Sequence, residues 1–504
     1  MNISESFNFE LNEKQREAFN LFKSGTSFFL SGPAGVGKSY LIQKMKNWAD
    51  KNERNMQVTA MTGAASLLIG GKTLHSWGGI GLGDANPEIL VQKIKKSFPA
   101  KMRWKRIETL VIDEVSMLTP DLFEKLDYIA REIRRNNLYF GGIQLILSGD
   151  FYQLPPISKD EYNQGDKQNK RLFCFESQLW YKIITKTIQL DDIIRQSDPV
   201  FQKILNEIRI GKCSDESIDI LKKRMNLVCP KDLGIEPTKL FTRKFDVDMI
   251  NNKKLKSLKN NIVVYNAVTE IVYNEDNCTL DQSPESETTK DESFDPDLDP
   301  SESEKIASQI KVIPTIKFKK NEIEKLVNLL DKDASYEPEL SLSIGAQVML
   351  IINKDFKSSL VNGSRGVVIG FSPNDLPIVR FRNGLEKIIE PHTWSIQEKK
   401  GIIQRSQIPL KLAWGVTIHK IQGASLDMVE IDIGSNIFEF GQSYVGLSRV
   451  RTLDGLYIRD FNPKKIKAHP KVIEFYENQS LQDLNENFRI SLDEPLGIKK
   501  FFGK

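Results

Sequence analysis

Ser31-Gly32-Pro33-Ala34-Gly35-Val36-Gly37-Lys38-Ser39 follows the short apolar run Phe28-Phe29-Leu30 and leads into the helix-compatible stretch Tyr40-Leu41-Ile42-Gln43-Lys44-Met45. A strand, a glycine-rich loop and a helix in that order make an anion nest. The glycines let successive backbone N–H groups turn inward, and the helix start adds the positive end of its dipole. Gly32 through Ser39 therefore read as a cradle for nucleotide phosphates, in which Lys38 reaches the β- and γ-phosphates and the Ser39 hydroxyl holds Mg²⁺. A glycine turn that binds nothing would need neither Lys38-Ser39 after the last glycine nor a strand before the first.

Hydrolytic chemistry is present as well. Seventy-five residues beyond Lys38, the apolar strand Thr109-Leu110-Val111-Ile112 ends in Asp113-Glu114. In such a pair Asp113 holds Mg²⁺ through water and Glu114 polarises the attacking water. Two solvated acids after a core strand are the plain alternative. A third apolar run, Ile143–Leu147, leads into Ser148-Gly149-Asp150-Phe151-Tyr152-Gln153. Polar loops leaving buried parallel strands stand where open α/β sheets place ligands, and Gln153 is suited to sense the γ-phosphate from there. Arg195, in Ile193-Ile194-Arg195-Gln196, and Arg449, in Gly446-Leu447-Ser448-Arg449, complete the set. Each alone reads equally as a surface arginine paired with a carboxylate. Together they suit a second domain that closes on the nucleotide and stabilises charge on the transferring phosphoryl group.

From about Leu11 to about Phe461 the chain resembles Pif-type (petite-integration-frequency) DNA helicases of superfamily 1B. The elements that carry the resemblance come in the family's order: Leu11-Asn12-Glu13-Lys14-Gln15, the phosphate loop, Thr59-Ala60-Met61-Thr62-Gly63, Thr73-Leu74-His75-Ser76-Trp77 and the acid pair. Next come Leu126–Arg131 with Phe140–Gln144, then Thr417-Ile418-His419-Lys420-Ile421-Gln422-Gly423 and Tyr444–Arg449. The resemblance implies ATP-driven 5′-to-3′ translocation on single-stranded DNA. It also implies unwinding of duplexes, forks, RNA–DNA hybrids and G-quadruplexes in replication, recombination, repair and telomere maintenance. By the same carry-over Gln15 contacts adenine and Gly423 the nucleotide, while Thr62, His75, Ser76, Thr417, His419, Gln422 and Tyr444 lie along the DNA. Pro33 and Gly446 depart from the family's usual residues without removing a donor or a charge that the mechanism needs. Lys244 stands where an Asn is usual, which leaves the role of Leu240–Lys244 open.

The DNA track also has a reading from the residues themselves. Movement along a strand needs donors for phosphate oxygens and flat groups for bases, and Thr62, His75, Ser76 and Trp77 offer both. Trp77 reads equally as a buried aromatic that holds its loop.

These elements imply an α/β fold: two RecA-like parallel-sheet motor domains with a small SH3-like β insertion domain. The first motor domain spans residues 1–190, with a wedge-like excursion at about 80–105. The second is discontinuous, at 191–265 and 400–504, and the insertion spans 266–399. Strand runs around Gly345–Ile352 and Gly366–Phe371, with the turn pair Asn362-Gly363 between them, suit a barrel at about 343–395.

The net charge of the 504-residue chain is only +4, low for a protein that grips a polyanion. Its distribution resolves this: Glu275–Glu304 holds twelve acids and one lysine, so the remainder carries +15. That stretch is too acidic and too poor in apolar residues to fold, and reads as a solvated loop or as an acidic competitor for DNA. The four cysteines, Cys174, Cys213, Cys229 and Cys278, have neither zinc-site nor disulfide-scaffold spacing. With no long apolar stretch and no basic apolar leader in Met1–Glu10, an intracellular, reducing compartment is expected, whether nucleus, cytoplasm or viral replication site.

Near the end of the chain, Ile498, Phe501 and Phe502 have the spacing of a sliding-clamp-binding peptide, although Pro495 stands where such peptides begin with Gln; a tail folded back onto the second motor domain is the other reading. A monomeric motor is expected. Two alternatives remain: the motor subunit of a helicase-nuclease complex, and a DNA-binding scaffold with a vestigial ATPase, against which Lys38, Asp113, Glu114 and Arg449 all stand.

Overall fold

Runs such as Thr109–Asp113 and Gln144–Gly149 are buried at every position. With no face to turn to water, they must be parallel strands covered by helices on both sides. A computed structural model describes residues 11–68, 70–156, 172–228, 235–273, 318, 320–333, 336–352, 354, 360, 362–398 and 401–479. The first part runs α1 (Glu13–Ser24), β1 (Phe28–Ser31), α2 (Lys38–Lys51), β2 (Met56–Ala60), α3 (Gly63–Leu68), β3 (Lys72–Thr73) and α4 (Leu74–Gly78). It continues through α5 (Pro87–Lys96), α6 (Phe98–Arg106), β4 (Thr109–Asp113), α7 (Pro120–Arg134), β5 (Gln144–Gly149), α8 (Trp180–Ile183) and β6 (Lys186–Gln189). Its strands form one parallel sheet in the order β3-β2-β4-β5-β1-β6. The loops after β1, β2, β3, β4 and β5 all leave the same edge, the ligand-binding edge of open α/β sheets.

The excursion at 80–105 is held against this sheet domain. Arg134 of α7 donates to the carbonyls of Trp104, Ile107 and Gly141 at 3.0, 2.8 and 2.7 Å, and Trp104 Nε1 donates to the Gly78 carbonyl at 2.9 Å. Leu82, Ile89 and Phe98 stay exposed on it.

Trp77 corrects the sequence reading. Thr73 caps α4 by accepting the Ser76 N–H, and the short helix turns the indole inward until its ring lies 4.8 Å from that of Trp104. At 1 % exposure within the main apolar core, it offers no face to a nucleic-acid base.

The second part begins with α9 (Pro199–Arg209), α10 (Asp215–Lys223), β7 (Thr238–Phe241) and α11 (Lys244–Ser257). The strands that follow are β8 (Ile262–Asn266), β9 (Val268–Tyr273), β10 (Glu339–Ser343), β11 (Gln347–Leu350), β12 (Arg365–Phe371), β13 (Pro377–Phe381) and β14 (Glu386–Ile388). The last are β15 (His392–Glu398), β16 (Gly401–Gln407), β17 (Leu410–Leu412), β18 (Gly415–Thr417), β19 (Val429–Ile433) and β20 (Leu456–Phe461). A second parallel sheet has the order β18-β7-β19-β20. Between β7 and β18 in sequence lie an antiparallel sheet β14-β13-β12-β11-β17, a three-stranded sheet β15-β16-β9 and the pair β10-β8.

Two boundaries differ from the expected ones. β16 and β17 belong to the inserted sheets, so the second parallel sheet resumes at Gly415, not at 400. The helix over 470–479 returns to the first domain, where Val472, Phe475 and Tyr476 enter the core with Phe29 and Phe151. Aromatic packing explains the return: the Phe475 ring stacks on Phe175 at 4.2 Å. The acidic stretch 275–304, Cys229, Cys278, Ile498, Phe501 and Phe502 lie outside the described residues. Among the described residues no helix is long and apolar enough to cross a membrane.

If Trp77 is core, Trp77→Ala lowers unfolding stability by about 3–5 kcal/mol in denaturant titration. A stable Ala variant with selectively lost DNA binding would return this residue to the DNA track.

Candidate nucleotide and nucleic-acid site

The phosphate loop leaves β1 and turns into α2 as the glycine pattern requires. Gly35 has φ +88°, and a Cβ there would stand 2.5 Å from that of Arg195, so only glycine permits both the turn and the close approach. Lys38 Nζ donates to the carbonyls of Gly32 and Pro33 at 2.6 and 2.9 Å. Pro33 thus contributes its carbonyl, the one hydrogen-bonding group a proline backbone has. Burial lowers the Lys38 pKa against the pull of Asp150, Glu114 and Asp113.

At the ends of β4 and β5 the acids face this lysine. Ser148 Oγ donates to Asp113 Oδ1 at 2.7 Å, yet burial still raises the Asp113 pKa. Glu114 takes a left-handed backbone conformation, φ 54° and ψ 46°, uncommon for a non-glycine residue. Burial, then the neighbouring Asp113 charge, push its carboxyl up to about 7. These are the perturbed acids expected of a site that handles protons.

From the other side come the arginines. Arg195 donates to the carbonyls of Ser448 and Gly423 at 3.2 and 3.3 Å, and Arg449 to those of Val445 and Ala424 at 2.9 and 3.4 Å and to Ser448 Oγ at 2.8 Å. Among the described residues neither is ion-paired. Burial, then repulsion from Arg449, bring the Arg195 pKa down to about 9, and burial lowers that of Arg449. The cavity between the two sheets measures about 1000 Å³, and Gln15, Lys38, Glu114, Gln153, Arg195 and Arg449 are among its lining residues. Gln15 is held at its rim by reciprocal capping with Asn12: its N–H donates to Asn12 Oδ1 at 2.8 Å, and its Oε1 accepts the Asn12 N–H at 3.2 Å. Ser39, Asp113 and Gly423 line the same cavity.

Gln422 and Tyr444 correct the expected DNA track. Fully buried Gln422 donates through Nε2 to Glu114 Oε2 at 2.9 Å and to Gln153 Oε1 at 3.3 Å, while its Oε1 has no hydrogen-bond partner. That orphaned acceptor beside a carboxylate fits a water molecule or a nucleotide's hydrated cation. Tyr444 is buried too, and its hydroxyl accepts the Ala34 N–H of the phosphate loop at 2.8 Å. Both side chains point between the sheets because the helix Gln442–Leu447 and the turn after β18 pack against the first domain. Gly446 lets that helix lie close to β19: a Cβ there would meet Ile431 Cδ1 at 2.2 Å.

The other track residues remain at the sheet edges. Thr62, accepting the Ala65 N–H at 3.2 Å, and half-buried His75 and Ser76 follow β2 and β3. Thr417 ends β18 and His419 follows it, with burial lowering the His419 pKa. Thr417 lines a cleft of about 230 Å³ with Lys244, Asn251, Ser341, Lys411 and Lys420. Burial and the nearby Lys420 bring the Lys411 pKa down to about 8. Lys244 opens α11 on this cleft. Sequence reasoning missed Lys411 and gave no role to Asp150, Arg209 or Tyr476. The available signal for Arg209 was a charge one helical turn after Leu205, beside the apolar stripe Phe201, Ile204, Leu205 and Ile208.

A family model described as PIF1-like helicase matches residues 10–219, and one described as DNA helicase Pif1, 2B domain, matches residues 325–371. The ATP-dependent DNA helicase PIF1 of Xenopus laevis is 38 % identical over 469 residues, covering 92 % of this chain and 64 % of that protein. The chain thus spans just under two thirds of that curated relative's length. The crystal structure of Pif1 helicase from Candida albicans superposes with a TM-score of 0.69 at 35 % identity, covering 94 % of this chain and 100 % of that one. Bacteroides Pif1 bound to ssDNA gives a TM-score of 0.60 at 26 % identity, covering 95 % and 99 %.

Two substitutions separate the roles in this cavity. Glu114→Gln keeps nucleotide affinity and drops single-turnover hydrolysis by at least about 10²-fold, and Arg449→Ala does the same to DNA-stimulated turnover. Wild-type turnover in the Gln variant would remove Glu114 from the chemistry. For Arg449, normal turnover in the Ala variant would make that arginine structural.

Proposed function

Because the chain belongs to the PIF1-like helicase family, we propose that it is a DNA helicase that couples ATP hydrolysis to 5′-to-3′ movement along single-stranded DNA. Duplexes, forks, RNA–DNA hybrids and G-quadruplexes are its proposed substrates. The single observation that carries the coupling is the Gln422 hydrogen bond to Glu114. Gln422 stands five positions after Thr417, so one short turn joins the proposed nucleic-acid edge to the proposed catalytic carboxylate.

In this mechanism the phosphate loop binds and orients the triphosphate, with Lys38 on its terminal phosphates and Gln15 at the base. Ser39 and Asp113 are suited to hold Mg²⁺, which when bound neutralises phosphate charge. Glu114 takes the proton from the attacking water, and Gln153 and Gln422 fix that water's position. Arg195 and Arg449 stabilise the charge that develops on the phosphoryl group. Thr62, His75, Ser76, Thr417 and His419 contact the strand, and the lysine-lined cleft beside Thr417 extends its path by offering cations to phosphates.

Forked substrates carrying a single 5′ or 3′ tail test the direction: displacement occurs from the 5′-tailed fork and requires ATP, whereas equal activity from both tails would overturn the polarity. For the cleft, Lys411→Ala weakens single-strand binding uniformly across sequences and reduces the log–log salt slope by about one. An unchanged slope would take Lys411 off the track.

A further inference from the structure

The bidentate pair between Arg209 and Asp150 has no part in the mechanism above. Arg209, at the end of α9, donates from Nε to Asp150 Oδ2 at 2.8 Å and from Nη2 to Oδ1 at 3.0 Å. Asp150 is 0 % exposed, and such a buried pair holds only where its remaining hydrogen-bonding capacity is met. Here it is met. Oδ1 also accepts the Tyr152 N–H at 3.2 Å, and the guanidinium lies over the Tyr152 and Tyr476 rings at 4.6 and 5.6 Å. Those rings stack on each other at 4.9 Å. Attraction to Asp150 raises the Arg209 pKa even though burial opposes it.

Three parts of the chain meet at this pair. Asp150 follows β5 of the first domain, Arg209 comes from a helix packed in the second, and Tyr476 comes from the helix over 470–479 that returns to the first. The Tyr476 hydroxyl shares a 2.9 Å hydrogen bond with Ser31, just before the phosphate loop, and accepts the Phe151 N–H at 3.2 Å. Asp150 in turn builds the turn that ends at Gln153, whose N–H donates to the Asp150 carbonyl at 3.0 Å and whose side chain accepts from Gln422.

We propose that Arg209 is a positioning residue for hydrolysis: by clamping Asp150, with Tyr476 as a buttress, it holds the turn that presents Gln153, so turnover depends on the second domain's seat against the first. This rests on the hydrolytic reading above. A shift of α9 moves Asp150, and with it Gln153 and the Gln422 side chain that contacts Glu114.

The test uses the full chain and single-stranded DNA, comparing Arg209→Gln, Arg209→Lys and Tyr476→Phe by melting temperature, fluorescent-nucleotide affinity and steady-state kinetics. Arg209→Gln is expected to lower DNA-stimulated kcat by at least about tenfold with KM for ATP within about threefold, and to add nothing in a Gln153→Ala background. Arg209→Lys, which keeps the charge without the fork, falls between Gln and wild type. Should Arg209→Gln fail to fold, Tyr476→Phe decides alone, since it keeps the ring stack and loses only the hydroxyl; an unchanged kcat there overturns the proposal. So do a folded Arg209→Gln variant with wild-type kcat, a change confined to KM, or losses that multiply with Gln153→Ala. A wild-type chain without DNA-stimulated turnover sinks the hydrolytic reading itself, and this inference with it, whereas an active wild type beside unaffected variants sinks only the role of Arg209.

Discussion

Positive charge with no ion pair among the described residues, gathered on one side of a cavity, is the constraint on which the rest of the architecture turns. Burial and the nearby Arg449 disfavour the charge of Arg195, burial disfavours that of Arg449, and backbone carbonyls and the Ser448 hydroxyl are what the guanidinium groups reach. Desolvated cations are tolerable where an anion arrives to meet them. The phosphate loop supplies the complementary half: a nest of N–H groups at a helix start that attracts the same anion from the opposite side. A polyphosphate seated between the two sheets would relieve both.

That arrangement makes the contacts across the cavity informative. Tyr444 reaches the Ala34 N–H and Gln422 reaches Glu114, each from the second domain into the first. A group that touches both a phosphate-binding loop and its own domain's core ties the position of that loop to the seat of the second domain.

Much of this was legible in the sequence wherever the chemistry belongs to the backbone or to an ordered spacing. The phosphate loop, the acid pair at the end of β4 and both arginines fell into one cavity because each stands near the end of a strand or a short helix, at an edge fixed by parallel-sheet geometry. Facing was not legible. Trp77, Tyr444 and Gln422 have residue types suited to a nucleic-acid surface, but their direction is decided by packing against Trp104, the phosphate loop and Glu114, partners remote in sequence. Arg209 and Tyr476 were invisible for a related reason: each looks like an ordinary position on an amphipathic helix until its partner 59 or more residues away is known. The boundary expected at 400 slipped because β16 and β17 are half-buried strands of the kind either sheet could use.

The returning helix also has a consequence for the order in which the chain assembles. All six strands of the first sheet have left the ribosome by Gln189, yet the aromatic cluster around Phe29, Phe151 and Phe175 closes only when Val472, Phe475 and Tyr476 emerge. The second sheet waits as well, since β7 must hold its edge open until β18 and β19 arrive after the inserted strands. Such long-range closure slows folding and leaves apolar surface uncovered during synthesis. The first domain, although drawn from the front of the chain, is therefore completed among the last, and a nascent chain stalled before residue 472 would present an aromatic face to chaperones rather than to its own core.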